Sequence, residues 1–242
     1  MARILKLDFE KTLWAFGTAG TQAAGLWQYL REATHSKQVH TGKACFNGLI
    51  SAYTARDGLT GPKDILGGVK GMAASMAGEV FPTALDEDLG KRYTVMETSF
   101  KWHASCRHTH PSVDGLLELM EKNNLKREDI AKVKCGVYQA TLDILNPGIP
   151  ESVHHSKFSM GYVLGVAAKF GHAAINDFNE NTLKQSDILD FIDKVEMYLD
   201  KEVDDAFPRD WMARVKITTK DGKTYEKLVE SPKGDPDFTL TR

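Results

Sequence analysis

The run Lys101-Trp102-His103-Ala104-Ser105-Cys106-Arg107-His108-Thr109-His110 gathers two fixed cations, three histidines and a thiol within ten residues. It stands directly ahead of Pro111 and an amphipathic stretch, where a helix should begin. Unpaired N–H groups and the positive dipole end of such a helix suit a carboxylate. Lys101 and Arg107 beside them point to an acidic small molecule. The competing reading is a solvated loop entering the helix. His108 and His110 supply half of a metal site, but nothing at ligand spacing completes it, so no metal is expected. Cys106 has cations and a helix start to lower its thiol pKa. Lacking an assignable orienting residue, it reads as a polar wall residue, with a thiol- or metal-dependent hydrolase as a minor alternative.

Two further clusters precede expected helices. In Thr34-His35-Ser36-Lys37-Gln38-Val39-His40-Thr41-Gly42-Lys43, Lys37 and His40 share one face if the turn is helical. The alternative is an exposed loop between helices. The third cluster, His154-His155-Ser156-Lys157-Phe158-Ser159, is followed by Tyr162. A buried tyrosine most simply packs in the core with one hydrogen-bond partner. No GxGxxG, Walker loop, HExxH or GxSxG occurs, so nucleotide cofactors and the common hydrolase triads have no support.

The elements that must position these groups are readable from periodicity. Asp8 to Ala33 reads as a helix rich in small residues, which suits close approach of another element, with a helix broken near Gly17 to Gly20 as the alternative. A second helix is expected over 42–56, followed by turn chemistry at Leu59-Thr60-Gly61-Pro62 and a short helical piece ending at Gly67-Gly68. Val113, Leu116, Leu117 and Met120 recur at helical spacing after Pro111. Ala131, Val133, Cys135 and Val137 alternate as a half-buried strand does. Ser159 to Phe170, closed by Gly171, reads as a helix. Ile188, Phe191, Ile192, Val195 and Leu199 mark another. Ala213, Val215 and Ile217 form a strand that Asp221-Gly222 turns into a third through Tyr225 and Leu228. The expected fold is mainly α with an α+β portion, divided into a partial helical domain at 1–85 and an α+β lid at 86–242.

Composition narrows the function classes. Lys plus Arg number 31 against 33 Asp plus Glu in 242 residues, a net charge of −2 that gives no case for nucleic-acid or membrane-surface partners. Apolar residues at 42% argue against disorder. The weakly polar stretch 13–27 falls short of the roughly 20 residues that span a bilayer. The start of the chain shows no secretory h-region, and three cysteines form no CxxC pair, so a reducing, cytoplasmic setting is expected.

The clusters, taken in order, resemble the MmgE/PrpD family, which includes 2-methylcitrate dehydratase, cis-aconitate decarboxylase and iminodisuccinate epimerase. Gly17 to Gly25 and then Lys37 to Gly42 look like its small-residue helix and lysine–histidine–glycine turn. Gly58 to Pro62 is similar to its next turn. Phe100-Lys101 and Cys106-Arg107-His108-Thr109-His110 resemble its lysine and "CR-x-TH" signature. Phe158 to Tyr162 resembles its phenylalanine–serine–x–x–tyrosine helix start.

The resemblance covers roughly Ile4 to Pro236. It implies a helical large domain, a smaller α+β lid and an active site in the cleft between them. Its chemistry is cofactor-free abstraction of a proton next to a carboxylate of a small di- or tricarboxylate, such as 2-methylcitrate. Loss of water or CO2, or reprotonation, follows. By position, Lys37 and Lys101 would bind carboxylates, Arg107 would add an anion contact, and His40 would line the site. Tyr162 would donate a hydrogen bond or proton, with Cys106 and His110 at the substrate. Cys106 stands where decarboxylase-like members carry histidine, which turns the expectation toward a dehydratase or epimerase. Trp102 and His103 also depart from the family's proline–aromatic–proline texture. The family further implies a preceding helical segment and a returning tail. Hence a homodimer, or a complex with a chain supplying the missing helices, is expected. The alternative is a truncated, non-catalytic homologue that binds carboxylates or a partner.

Overall fold

A computed structural model describes residues 1–32, 34–146 and 148–240. The chain divides into two compact units, Met1–Tyr93 and Thr94–Arg242. No helix among the described residues is long and apolar enough to cross a membrane.

The first unit is helical. Helix α1 (Phe9–Gly20) starts where the Asp8 carboxylate accepts the Lys11 backbone N–H at 2.8 Å. It stops at Thr21, so the continuous helix expected from Asp8 does not form, and Ala33 lies outside the described residues. The small residues that made the stretch look continuous also allow close approach. A Cβ on Gly17 would collide with the Pro62 carbonyl oxygen, so backbone meets backbone there. After the short α2 (Gln28–Arg31), α3 (Ser36–Arg56) begins six residues earlier than the expected Gly42. It therefore takes Lys37 and His40 into its first turns. The expected helical piece before Gly67-Gly68 is a series of turns, and α4 (Met72–Met76) follows them.

Ala15 of α1 and Ala52 and Ala55 of α3 form the small core of this unit, with Leu5 and Trp14 against it. The larger apolar side chains of α3, namely Val39, Phe46, Leu49, Ile50 and Tyr53, are exposed.

The second unit is α+β. A 3-10 turn at Arg107–Thr109 leads into α5 (His110–Lys122), then come β1 (Ile130–Val137), α6 (Gln139–Ile144) and α7 (Val153–Ser156). Helix α8 (Met160–Phe170) is capped by the Ser159 hydroxyl, which accepts the Tyr162 N–H, and ends on left-handed Gly171. Next are α9 (Glu180–Leu183), α10 (Ser186–Ile192), β2 (Val195–Leu199), α11 (Lys201–Ala206), β3 (Ala213–Thr219) and β4 (Thr224–Val229). The sheet order is β2-β1-β3-β4, with β2 parallel to β1 and the other pairs antiparallel.

The fold is mainly α with an α+β portion, as the sequence pattern predicts, but in this unit one expected helix is half strand. The Ile188-to-Leu199 pattern divides at Asp193, and Val195 to Leu199 pair with Val133 to Val137. Five apolar residues at helical spacing also alternate over their last half. The open edge of β1 decides between the two periods. The core joins Val113 and Leu116 of α5, Val133 and Cys135 of β1, Val163 and Val166 of α8, and Phe191 of α10.

Candidate carboxylate-binding site

In the second unit the turn ahead of α5 is held by contacts distant in sequence. The Cys106 N–H donates to the Lys157 carbonyl at 2.8 Å, leaving its thiol half-buried. Arg107 lies with its guanidinium 4.7 Å over the Trp211 ring. Its Nη2 donates to Ser99 Oγ at 3.0 Å and pairs with the Asp235 carboxylate. Among the described residues both of these bonds run from the one nitrogen. The charge is already countered by Asp235.

His108 stacks on Trp211 at 5.1 Å, and its Nδ1 lies 2.7 Å from the Tyr138 hydroxyl. Burial, then the charges of Lys101 and Arg107, bring its pKa down to about 4. His110 is wholly buried at the start of α5. Neither ring nitrogen has a hydrogen-bond partner among the described residues. Burial first, and then the charges of His103 and Lys101, bring it down to about 3. Both imidazoles are neutral near pH 7. Beside them, buried His103 meets Asp114 Oδ1 through Nε2 at 2.8 Å, and Asp114 Oδ2 accepts the Lys233 N–H at 2.7 Å.

Lys101 is exposed, and its charge reaches both His108 and His110. The segment thus carries Lys101, Cys106, Arg107 and His110, running from an exposed cation to a wholly buried neutral ring. Tyr162 is different. It is fully buried in α8, its hydroxyl has no partner among the described residues, and burial pushes its pKa up to about 12.

In the first unit His40 packs edge-on against Tyr29 at 5.2 Å. It lines a cavity of about 380 Å³ with Lys43, Asn47 and apolar side chains including Phe16, Ile65 and Met72. Lys37 is exposed one turn earlier and is not part of that lining. Among the described residues, no group of three His, Cys, Asp or Glu side chains converges as a metal ion would need.

Sequence reasoning missed Asp114, Tyr138, Trp211 and Asp235. All four act through residues far away in the chain, and only Gly234-Asp235-Pro236 carried a local signal, that of a turn.

The model of the MmgE/PrpD N-terminal domain matches residues 1–83, and that of the MmgE/PrpD C-terminal domain matches 103–242. A cis-aconitate decarboxylase-like protein of Aspergillus oryzae, oryM, is 26% identical over 257 aligned positions. The alignment takes in 98% of this chain and 52% of that relative, so the chain spans about half the relative's length. With the C-terminal model covering more than half of it, the chain belongs to the MmgE/PrpD family.

Proposed function

We propose that the chain contributes to a cofactor-independent lyase or isomerase acting on a small di- or tricarboxylate such as 2-methylcitrate. The observation that carries this reading is the segment ahead of α5. There the exposed cation Lys101 shares ten residues with Arg107 and with two neutral histidines whose pKa values its charge lowers. Abstracting a proton next to a carboxylate builds negative charge on the substrate, and a preset cation stabilises that charge most where water is scarce. In this reading Lys101 binds a substrate carboxylate and stabilises the developing charge, while Arg107 and His110 line the site. Cys106 contributes a small polar wall. Tyr162 donates its proton or hydrogen bond once a group reaches its hydroxyl. Lys37 and His40 keep the carboxylate-binding and site-lining roles that the family resemblance gives them.

Dehydration or epimerisation is favoured over decarboxylation by Cys106. Decarboxylation is the second reading, supported by the name of the Aspergillus relative.

Calorimetric titration with citrate, 2-methylcitrate and cis-aconitate tests the assignment. Lys101→Ala should weaken binding by up to a few kcal/mol, as expected for a charge-assisted contact, without lowering stability. Unchanged affinity in that variant would remove Lys101 from the site. Saturable binding without turnover would favour the non-catalytic homologue.

The same reading includes a homodimer, or a complex with a chain that supplies further helices. The exposed Phe46, Leu49 and Ile50 of α3 support it, since large apolar side chains on one helix face need cover. Phe46→Glu should reduce association in sedimentation experiments. An unchanged sedimentation profile that already shows a monomer would oppose the homodimer.

A further inference from the structure

We infer that the turn Ser231–Phe238 is the positioning element of the Lys101 segment, with Gly234 its decisive residue; this rests on the carboxylate-binding reading above. The turn grips the segment on both sides of Lys101. Before it, the Phe100 N–H donates to the Gly234 carbonyl at 2.8 Å. After it, the Lys233 ammonium lies 4.3 Å over the Trp102 ring. The Lys233 N–H also holds Asp114, which in turn holds His103. Asp235 pairs with Arg107 six residues beyond Lys101. The backbone that carries the exposed cation is therefore fixed from outside its own stretch of chain. The fixing residues lie about 130 positions later.

Gly234 is required twice over. Its φ of +99° lies where L side chains are strained, and a Cβ there would collide with the Phe100 carbonyl oxygen. A methyl group at this position must push Phe100 away, and Lys101 moves with it. Moving the Lys101 backbone changes where its ammonium can meet a bound anion. The turn thus sets the placement of Lys101 without touching the substrate, so Gly234 and Asp235 are positioning residues.

The test compares Gly234→Ala with Gly222→Ala in the full chain. Gly222 also has positive φ, +84°, but a Cβ there meets nothing within 4 Å, so it controls for strain alone. Citrate affinity and the amide resonances of Phe100, Lys101 and Trp102 are measured for both. Gly234→Ala should shift those three resonances and weaken citrate at least tenfold, whereas Gly222→Ala should leave both as in the parent. Resonances that stay in place, or that move without any change in citrate affinity, would overturn the inference. If the parent chain binds no citrate, the carboxylate reading falls, and the resonance shifts alone decide whether the turn sets the segment. If Gly234→Ala does not fold, hydrogen exchange of the Phe100 amide in the parent decides. Protection supports the grip, and exchange at a free-peptide rate refutes it.

Discussion

Replacing Asp235 with alanine should unfold the second unit more easily by an amount that its surroundings set. The pair with Arg107 is neither on the surface nor fully enclosed, with side chains 19% and 10% exposed. Exposed pairs contribute about 0–1 kcal/mol. Removing one partner of a fully buried pair costs about 3–5 kcal/mol, because the other charge is left without compensation. At this depth a loss of about 2 kcal/mol is expected. The cation–π contact of Arg107 with Trp211 survives the substitution and keeps the loss below the buried limit. For a unit of this size the loss lowers Tm by about 4–8 °C.

Urea denaturation, with hydrogen exchange read on peptides of residues 94–240, assigns the effect to the correct unit. A double-mutant cycle of Asp235→Ala with Arg107→Met isolates the coupling between the two side chains. The coupling should persist near 1 M salt, since little solvent reaches the pair. A coupling below about 0.5 kcal/mol would place the pair in the exposed class and refute the reasoning.

Acid should weaken the second unit well before its carboxylates titrate. His108 and His110 have folded pKa values of about 4 and about 3, against 6.5 for the free side chain. Below pH 6.5 the unfolded chain takes up protons that the folded chain refuses, so stability falls with pH, down to about 4 for His108 and about 3 for His110. Between pH 7 and 5 each contributes up to about 2 kcal/mol of loss. His110→Gln should flatten that slope in pH-dependent urea titrations, and an unaltered slope would mean that the fold does not shift the His110 pKa. The glycines should divide by environment. Gly48→Ala on α3 meets nothing within 4 Å and should stabilise the first unit by about 0.5–1 kcal/mol. Gly115→Ala on α5 puts a Cβ 2.7 Å from Val215 Cγ2 and should cost the second unit about 1–3 kcal/mol by thermal denaturation.

The candidate site was legible where its chemistry is local. Lys101, Cys106, Arg107 and His110 share ten residues, and the Pro111 helix start announces where they stand. Side-chain state was not legible. That Arg107 pairs with Asp235, 128 residues later, could not be read from the local sequence. Nor could the burial of His110 with neither ring nitrogen partnered among the described residues. Tyr162 carries the family pattern, yet its hydroxyl lies inside the core of its own unit.

By itself the sequence determined the elements whose periodicity and caps agree. These are α5 after Pro111, α8 between Ser159 and Gly171, and the β3–β4 hairpin around Asp221-Gly222. Each carries its signal in residues close together in the chain. Tertiary structure decided the rest. The strand β2 exists because β1 offers an open edge, and between a continuous first helix and one broken near Gly17 to Gly20 the structure chose an end at Gly20. The placement of Arg107 and His108 was settled by Tyr138, Trp211 and Asp235. Electrostatics and burial depend on what is close in space, and for these groups the near neighbours are remote in sequence.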